Sequence, residues 1–355
     1  MDGRWSVARA NDWYDRLPWL VGCNFVPSTA SNQLEMWQAE SFDPATIDRE
    51  LGWAAAIGMN AVRVFLHDLL WQADPDGFAR RIDAFLQVAW RHRIRTLLVL
   101  FDDCWHGGAR LGPQPDPVPG IHNSRWLQSP GTDAVRDPAQ WPRLEAYVTG
   151  LVQRFADDER VLGWDLYNEP GNAFLPVMSR APLRRAAGLV ALVAGMQLRN
   201  RSLPLVRRTF EWARAAKPSQ PLTAGIWFWD RTLNRMLVES ADVLSFHNYR
   251  GAAPLARQIR FLQSFGRPLL CTEWLSRTGG SRFATHLPLF RERRVGCFCW
   301  GLVSGRTQTV YAWSARGGGA EPSVWFHDLL RPDGTPYSVA EIELLRTLTG
   351  PRTAD

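Results

Sequence analysis

The stretch Ala45-Thr46-Ile47-Asp48-Arg49-Glu50-Leu51-Gly52-Trp53-Ala54-Ala55-Ala56-Ile57-Gly58, followed after Met59 by Asn60-Ala61-Val62-Arg63-Val64-Phe65-Leu66, carries the repeating unit of this chain. In its first half Ile47, Leu51, Ala54, Ala55 and Gly58 recur at the spacing of one helix face. Asp43-Pro44 ahead of it is an N-cap with a first-turn proline, and Gly58 is a C-terminal stop. The second half is apolar and β-branched with one charge, Arg63, in its middle, and reads as a buried strand.

The same alternation runs the length of the chain. Strand patterns fall at Trp19–Pro27, Asn60–Leu66, Arg95–Asp103, Val161–Glu169, Pro221–Phe228, Asp242–Tyr249, Pro268–Trp274 and Gly296–Val303. Helical patterns separate them, among them Gly77–Arg93, Gln140–Asp157, Leu203–Ala216, Pro254–Phe265 and Ser338–Leu348. Strands alternating with helices imply a parallel sheet, because a parallel crossover needs a helix. Eight such units close a (β/α)8 TIM barrel. A doubly wound sheet is the competitor, but no Gly-rich dinucleotide fingerprint follows the first strand. The expectation is therefore one α/β barrel domain over residues 1–355. The excess over ~250 residues lies in the βα segments Asp103–Arg136, Gly171–Leu203 and Arg306–Tyr337.

Composition narrows the function. With 46% hydrophobic and 21% charged residues the 355-residue chain is not disordered. No apolar run reaches the ~18 residues that span a bilayer. The net charge is +6, yet Lys217 is the only lysine and the arginines are scattered, without the basic stripe that nucleic-acid binding needs. Cys23, Cys271, Cys297 and Cys299 lie in strand patterns and read as buried free thiols; Cys297-x-Cys299 has neither zinc nor redox spacing. No secretory leader is visible at Met1-Asp2-Gly3-Arg4-Trp5, so a cytoplasmic location is expected.

Two carboxylates end apolar strands. Trp164-Asp165-Leu166-Tyr167-Asn168-Glu169-Pro170 closes the fourth, and alternation places Asp165, Tyr167 and Glu169 on one face. Leu269-Leu270-Cys271-Thr272-Glu273-Trp274 closes the seventh. Read alone, Glu169 is equally a helix cap or a surface ion-pair partner. Two facing carboxyls across one barrel mouth, however, are the requirement of glycoside hydrolysis. His247 and Tyr249, in Phe246-His247-Asn248-Tyr249, end the sixth strand, where a phenol can keep the neighbouring Glu273 ionised. A rim aromatic is the plainer reading of Tyr249. An inward Arg63 must pair with a carboxylate, and Glu273 is the candidate. Trp300 could floor a sugar site, and others of the 18 tryptophans, including Trp105, Trp227, Trp229, Trp274 and Trp313, fall at strand ends or in the following loops.

Taken in order on these strands, Arg63, Asn168-Glu169, His247-x-Tyr249, Glu273 and Trp300 resemble the pattern of glycoside hydrolase family 5 and its clan of retaining (β/α)8 glycosidases. The likeness runs from about Trp19 to Gly350. It implies that Glu169 is the acid/base, that Glu273 is the nucleophile, and that Asn168 holds the sugar 2-hydroxyl. It also implies carboxyls ~5–5.5 Å apart, a raised pKa for Glu169 and a low one for Glu273, and no metal or organic cofactor. One departure stands out. The family often places a histidine at the end of the third strand, where this chain has Phe101-Asp102-Asp103-Cys104-Trp105. Both aspartates cannot point inward; one is expected to grip sugar hydroxyls and the other to cap the loop. Asp102-Asp103-Cys104-Trp105, Phe326-His327-Asp328 and Arg331-Pro332-Asp333-Gly334-Thr335-Pro336-Tyr337 are similar to a bacterial branch labelled xylanase that also resembles β-mannosidases. The expected function is thus an exo-acting β-mannosidase on short oligosaccharides such as Man-β-1,4-GlcNAc. An endo-acting xylanase, mannanase or glucanase is the alternative, and a non-catalytic sugar-binding barrel a remote one. The region 173–202 reads as a helical insertion beside Glu169. Its apolar stripe in Leu183–Leu198 suits a helix folded back onto the barrel, a subunit contact between identical chains, or a wall that shortens the cleft.

Overall fold

A computed structural model of the chain describes residues 3–174, 186 and 200–350. Eight parallel strands, β1 (Val21–Asn24), β2 (Ala61–Phe65), β3 (Arg95–Asp102), β4 (Val161–Asn168), β5 (Leu222–Thr223), β6 (Leu244–His247), β7 (Leu269–Trp274) and β8 (Gly296–Trp300), lie in the order β5-β4-β3-β2-β1-β8-β7-β6. The remaining seam closes by a single bridge between Ile226 and Phe246. There the Ile226 N–H donates to Ser245 (2.9 Å) and the His247 N–H to Ile226 (3.0 Å). The (β/α)8 barrel expected from the strand–helix alternation is the fold observed.

Local chemistry explains the units. The helix Pro44–Ala56 starts on Asp43, whose carboxylate accepts from the Thr46 N–H, and buries Ile47, Leu51 and Ala54. Gly22 on β1 is required by close approach, because a Cβ there would stand 1.8 Å from the Ala61 carbonyl oxygen on β2. The fifth strand is much shorter than its 221–228 pattern. Beyond it Gly225 passes His247 so closely that a Cβ would meet the imidazole at 3.0 Å.

Several helices have no counterpart in the sequence expectations, among them Gln33–Trp37, Asp68–Ala73, Thr132–Arg136 and Val7–Asp15. The helix Val7–Asp15 lies under the N-terminal end of the barrel, where Tyr14 packs with Leu20, Ala61, Leu97, Leu162, Val243, Leu270 and Phe298. Ala10 and Tyr14 are the buried residues of that helix, and Trp13 and Leu17 pack partly buried against the same cluster. No helix among the described residues is long and apolar enough to cross a membrane. The Leu183–Leu198 stretch, with the wall and subunit contact suggested for it, lies outside the described residues apart from Ala186.

Candidate active site

Arg63 is the hub of the barrel's upper interior and is fully buried. Register places Asn24 of β1 directly beside it. Its Nε donates to Asp165 Oδ2 (2.9 Å), Nη1 to Asn24 Oδ1 (2.8 Å) and Glu273 Oε1 (2.9 Å), and Nη2 to Asn168 Oδ1 (2.7 Å). One planar guanidinium thereby fixes side chains from β1, β4 and β7, with two carboxylates repaying its burial. The pairing of Arg63 with Glu273 was legible in the sequence; Asp165 as the second carboxylate and Asn24 as an acceptor were not.

Glu273 and Glu169 face each other. Carboxylate oxygens of the two, together with a ring nitrogen of His247, all lie within 4.8 Å of one another. Glu273 also accepts from the Tyr249 hydroxyl at Oε2 (2.8 Å). Glu169 follows β4 in the left-handed region (φ 44°), a conformation that non-glycine residues rarely hold outside functional or turn positions. His247 Nδ1 stands 2.8 Å from Glu169 Oε1 and 3.5 Å from Glu273 Oε2. With carboxyl oxygens of both glutamates beside Nδ1, and no partner for Nε2 among the described residues, the ring hydrogen belongs on Nδ1. Burial pushes His247 down to about 4, leaving it neutral near pH 7. Glu169 Oε2 is met by the Cys104 thiol (Sγ 3.2 Å) and by Asn172 Nδ2 (2.6 Å).

Burial pushes both glutamates up from the ordinary carboxyl range. The expected low value for Glu273 therefore does not describe this site; what differs is the partners. Among the described residues, Glu273 touches a guanidinium and a phenol, whereas Glu169 touches no formal cation. A proton shared by the pair thus resides on Glu169. Glu169 is also the more open to the pocket, with 14% of its side chain exposed against 5% for Glu273. Glu169, His247 and Glu273 have the spacing to hold a metal ion, but Arg63 already seats a fixed positive charge against Glu273 and opposes a second cation.

Several expectations need correction. Tyr167 does not share the face of Asp165 and Glu169: it is buried against Phe101 and donates its hydroxyl to Asp103 (2.8 Å). Alternation fails within β4 itself, where Asp165 and Asn168, three positions apart, both reach Arg63 and Tyr167 between them faces outward. Neither aspartate of the third strand lines the pocket. Asp102 accepts from Asn168 Nδ2 (2.9 Å), Trp126 Nε1 (2.6 Å) and the Cys104 N–H (2.9 Å), so it orients Asn168 rather than a sugar. Asp103 accepts from Tyr167, from the Gly171 N–H (2.6 Å) and from Ser202, and caps the loop after β4. Burial raises each to about 6. Trp274 points away from the pocket, 1% exposed among Phe283, His286 and Phe290, because alternation that turns Glu273 inward turns its neighbour outward.

The pocket wall is aromatic. Trp300, on a base of Phe65 and Trp126, lines it together with Trp105, Trp227, Trp229 and Trp313. One side is built from three joined loops. The Asn123 N–H donates to Thr307 (2.9 Å), Gln308 Nε2 to Val118 (2.8 Å), and Arg306 pairs with both Asp116 and Glu35 (3.1 Å each). Asn32 Nδ2 bonds Gln114 and the Arg125 carbonyl (3.0 Å each). The segments after β1, β3 and β8 thus form one continuous rim.

Among family models and curated proteins the sequence finds no match. Solved structures share its fold. A GH5_18 variant from Streptomyces cattleya in complex with Manβ1-4GlcNAc matches at a TM-score of 0.60 and 13% identity, over 94% of this chain and 80% of that one. An exo-β-1,4-mannosidase from an Opitutaceae bacterium matches at 0.59 and 18%, over 93% of this chain and 59% of that one. The endo-β-1,4-mannanase from Thermotoga petrophila matches at 0.57 and 14%, over 93% and 76%. At these identities the likeness is one of fold; the two opposed carboxyls described above stand on this chain's own geometry.

Proposed function

We propose that this protein is a retaining β-glycosidase. The observation that carries the reading is the opposed pair Glu169 and Glu273, with oxygens within 4.8 Å and unlike partners. That proximity suits the double-displacement geometry of ~5–5.5 Å between carboxyls rather than the ~6.5–9.5 Å of an inverting enzyme. Glu273, held ionised by Arg63 and Tyr249, attacks the anomeric carbon while the bond to the departing oxygen breaks. Glu169 gives that oxygen its proton, then takes one from the water that releases the sugar. Asn168, fixed between Arg63 and Asp102, is placed to hold the 2-hydroxyl.

Within this class we favour exo-action on a β-mannoside of a short oligosaccharide. The joined rim supports release from a chain end, since it walls off one side of the pocket. The sugar is suggested by the fold neighbours bearing mannosidase and mannanase names and by the Manβ1-4GlcNAc complex.

A panel of aryl β-glycosides with mannose, glucose, xylose and galactose heads tests both levels. Mannoside hydrolysis with retention is expected, and one sugar released per event from a defined β-1,4-manno-oligosaccharide. Internal cleavage would point to the endo alternative. Replacing Glu273 by Ala should abolish turnover, with azide restoring it as the glycosyl azide of inverted configuration. Absence of hydrolysis across the panel, or normal turnover by Glu273→Ala, refutes the assignment.

A further inference from the structure

The third strand runs into Asp102-Asp103-Cys104, and the turn that follows carries Cys104 to the pocket floor beside Glu169. Its backbone N–H is tied to Asp102 Oδ1, the oxygen that also accepts from Asn168 Nδ2. The sulfur accepts from Asn168 Nδ2 (3.3 Å) and stands 3.2 Å from Glu169 Oε2. The thiol therefore touches the two side chains assigned to the sugar 2-hydroxyl and to proton transfer. We propose that Cys104 is a positioning residue for proton transfer by Glu169, its thiol holding the Oε2 oxygen that releases and regains the proton. The inference rests on the glycosidase reading and deepens it.

The choice of oxygen follows from the partners. Oε1 receives the His247 Nδ1 hydrogen, so the proton of a neutral Glu169 belongs on Oε2. Oε2 meets Asn172 Nδ2, which only donates, and Cys104, which does both. While Glu169 is protonated, the sulfur lies beside the hydroxyl as a soft acceptor. Once the proton has passed to the departing oxygen, the S–H turns to donate to the new carboxylate. Burial and the nearby carboxylates Asp102, Glu169 and Glu273 push the thiol well above its ordinary value. Cys104 thus stays S–H and serves as a donor, not as a nucleophile. The same contact opposes the burial that raises Glu169. Removing it leaves Glu169 harder to ionise, which retards the second step, in which Glu169 must act as a base.

The test compares the wild-type protein with Cys104→Ser and Cys104→Ala on an aryl β-glycoside with a good leaving group and on one with a poor leaving group, across pH. With the good leaving group, release of the sugar limits turnover. Cys104→Ala should lower kcat about 2- to 10-fold, the range of one hydrogen bond, and move its acid limb to higher pH. With the poor leaving group, the alkaline limb of kcat/KM should also move to higher pH, because Glu169 keeps its proton longer. Cys104→Ser keeps a hydroxyl that donates and accepts, so it should return both limbs toward the wild type. A purely structural role would lower activity without moving either limb. Unmoved limbs in Cys104→Ala, or equal shifts in both variants, overturn the proposal. If Cys104→Ala does not fold, Cys104→Ser decides alone: a wild-type profile supports the proposal and limbs displaced as predicted for Ala overturn it. Wild-type hydrolysis with unmoved limbs sinks this inference alone, whereas a wild-type protein inert on every glycoside sinks the glycosidase reading with it.

Discussion

Replacing Arg63 by Met, which approximates its stem and lacks its charge, tests the electrostatic frame of the site. The guanidinium is completely buried and pairs with Asp165 and Glu273, whose side chains are 0% and 5% exposed. Breaking a buried ion pair from one side costs about 3–5 kcal/mol, because the surviving charge is left unpaired. At ~2.1 cal/mol/K of unfolding entropy per residue over 355 residues, the thermal midpoint should fall by roughly 4–7 °C. The loss should also depend on pH, and its sign is fixed. Without the cation, burial alone governs the two carboxyls and holds their folded pKa values above the unfolded ones. Such groups bind more protons folded than unfolded, so their contribution favours folding at low pH and is lost as pH rises through the folded pKa. The deficit of Arg63→Met against the parent should therefore be smaller at pH 5 than at pH 8. Adding Asp165→Asn removes one of the stranded charges and should recover part of the loss, a non-additivity expected only of residues in contact. Unfolding followed by circular dichroism at both pH values, on the parent, the two single variants and the double variant, reads all of this. A deficit below about 1 kcal/mol, a deficit indifferent to pH, or a double variant no better than Arg63→Met would refute the reasoning.

Three further outcomes follow from the same contacts. Tyr249→Phe deletes the hydroxyl that donates to Glu273 Oε2; at about 1.5–3 kcal/mol for a hydrogen bond to a charged group, kcat/KM should drop by roughly one to two orders of magnitude with little change in stability. Glu50 is buried beneath Ser28, and burial raises it to about 7 from an ordinary 4.5. It therefore binds its proton more tightly folded than unfolded, and stability should decline between about pH 4.5 and 7; Glu50→Gln should flatten that decline and gain up to about 3 kcal/mol above pH 7 in denaturant titrations. Trp274→Phe should lower stability by about 1–3 kcal/mol through lost packing while leaving KM unchanged, whereas Trp300→Ala, in the pocket wall, should raise KM; the reverse pattern in steady-state kinetics and melting would overturn the placement of these two indoles.

What the sequence made legible was what strand periodicity and chemical cost can reach. An arginine in the middle of an apolar strand and glutamates at the ends of two others are anomalies in one dimension, and Arg63, Glu169 and Glu273 converge as those anomalies implied. Alternation also held the correct answer for Trp274, since adjacent strand residues face opposite ways, but an indole beside a candidate nucleophile invites a sugar-stacking role. At Tyr167 the same rule misled, because strict alternation already breaks inside β4, where Asp165 and Asn168 both meet Arg63. Asp102 and Asp103 look alike in sequence, and only their partners, Asn168 for one and the Gly171 N–H for the other, separate orienting from capping. Cys104, Asn172, Asn24 and the role of Asp165 were not recoverable. Each acts through a contact set by the closing of the barrel, and a thiol or an amide in a loop carries no periodic signal. The helix Val7–Asp15 escaped for another reason: it precedes the first strand and so falls outside the strand–helix units from which the barrel is read.

The charges around the pocket constrain the reaction further. Arg63 carries one positive charge, and Asp165 and Glu273 answer it with two negative ones. His247 is neutral, and the proton of the glutamate pair rests on Glu169. These groups sum to one negative charge, located on Glu273 and shielded from solvent. On the proposed glycosidase reading, a sugar passing through an oxocarbenium-like state brings one positive charge to that place. Inside a buried site this complementarity is far stronger than it would be in water, and it exists only because Arg63 is shared. Were Arg63 bonded to Glu273 alone, it would cancel the charge that stabilises the transition state. By engaging Asp165 as well, it can orient Glu273 without neutralising the pocket. Asp165→Asn should then leave the geometry of Glu273 nearly intact while the net charge of the cluster goes to zero. On this argument kcat falls more than binding of the ground-state sugar, a split that measured kcat and KM would expose; an equal loss in both would assign Asp165 to architecture alone.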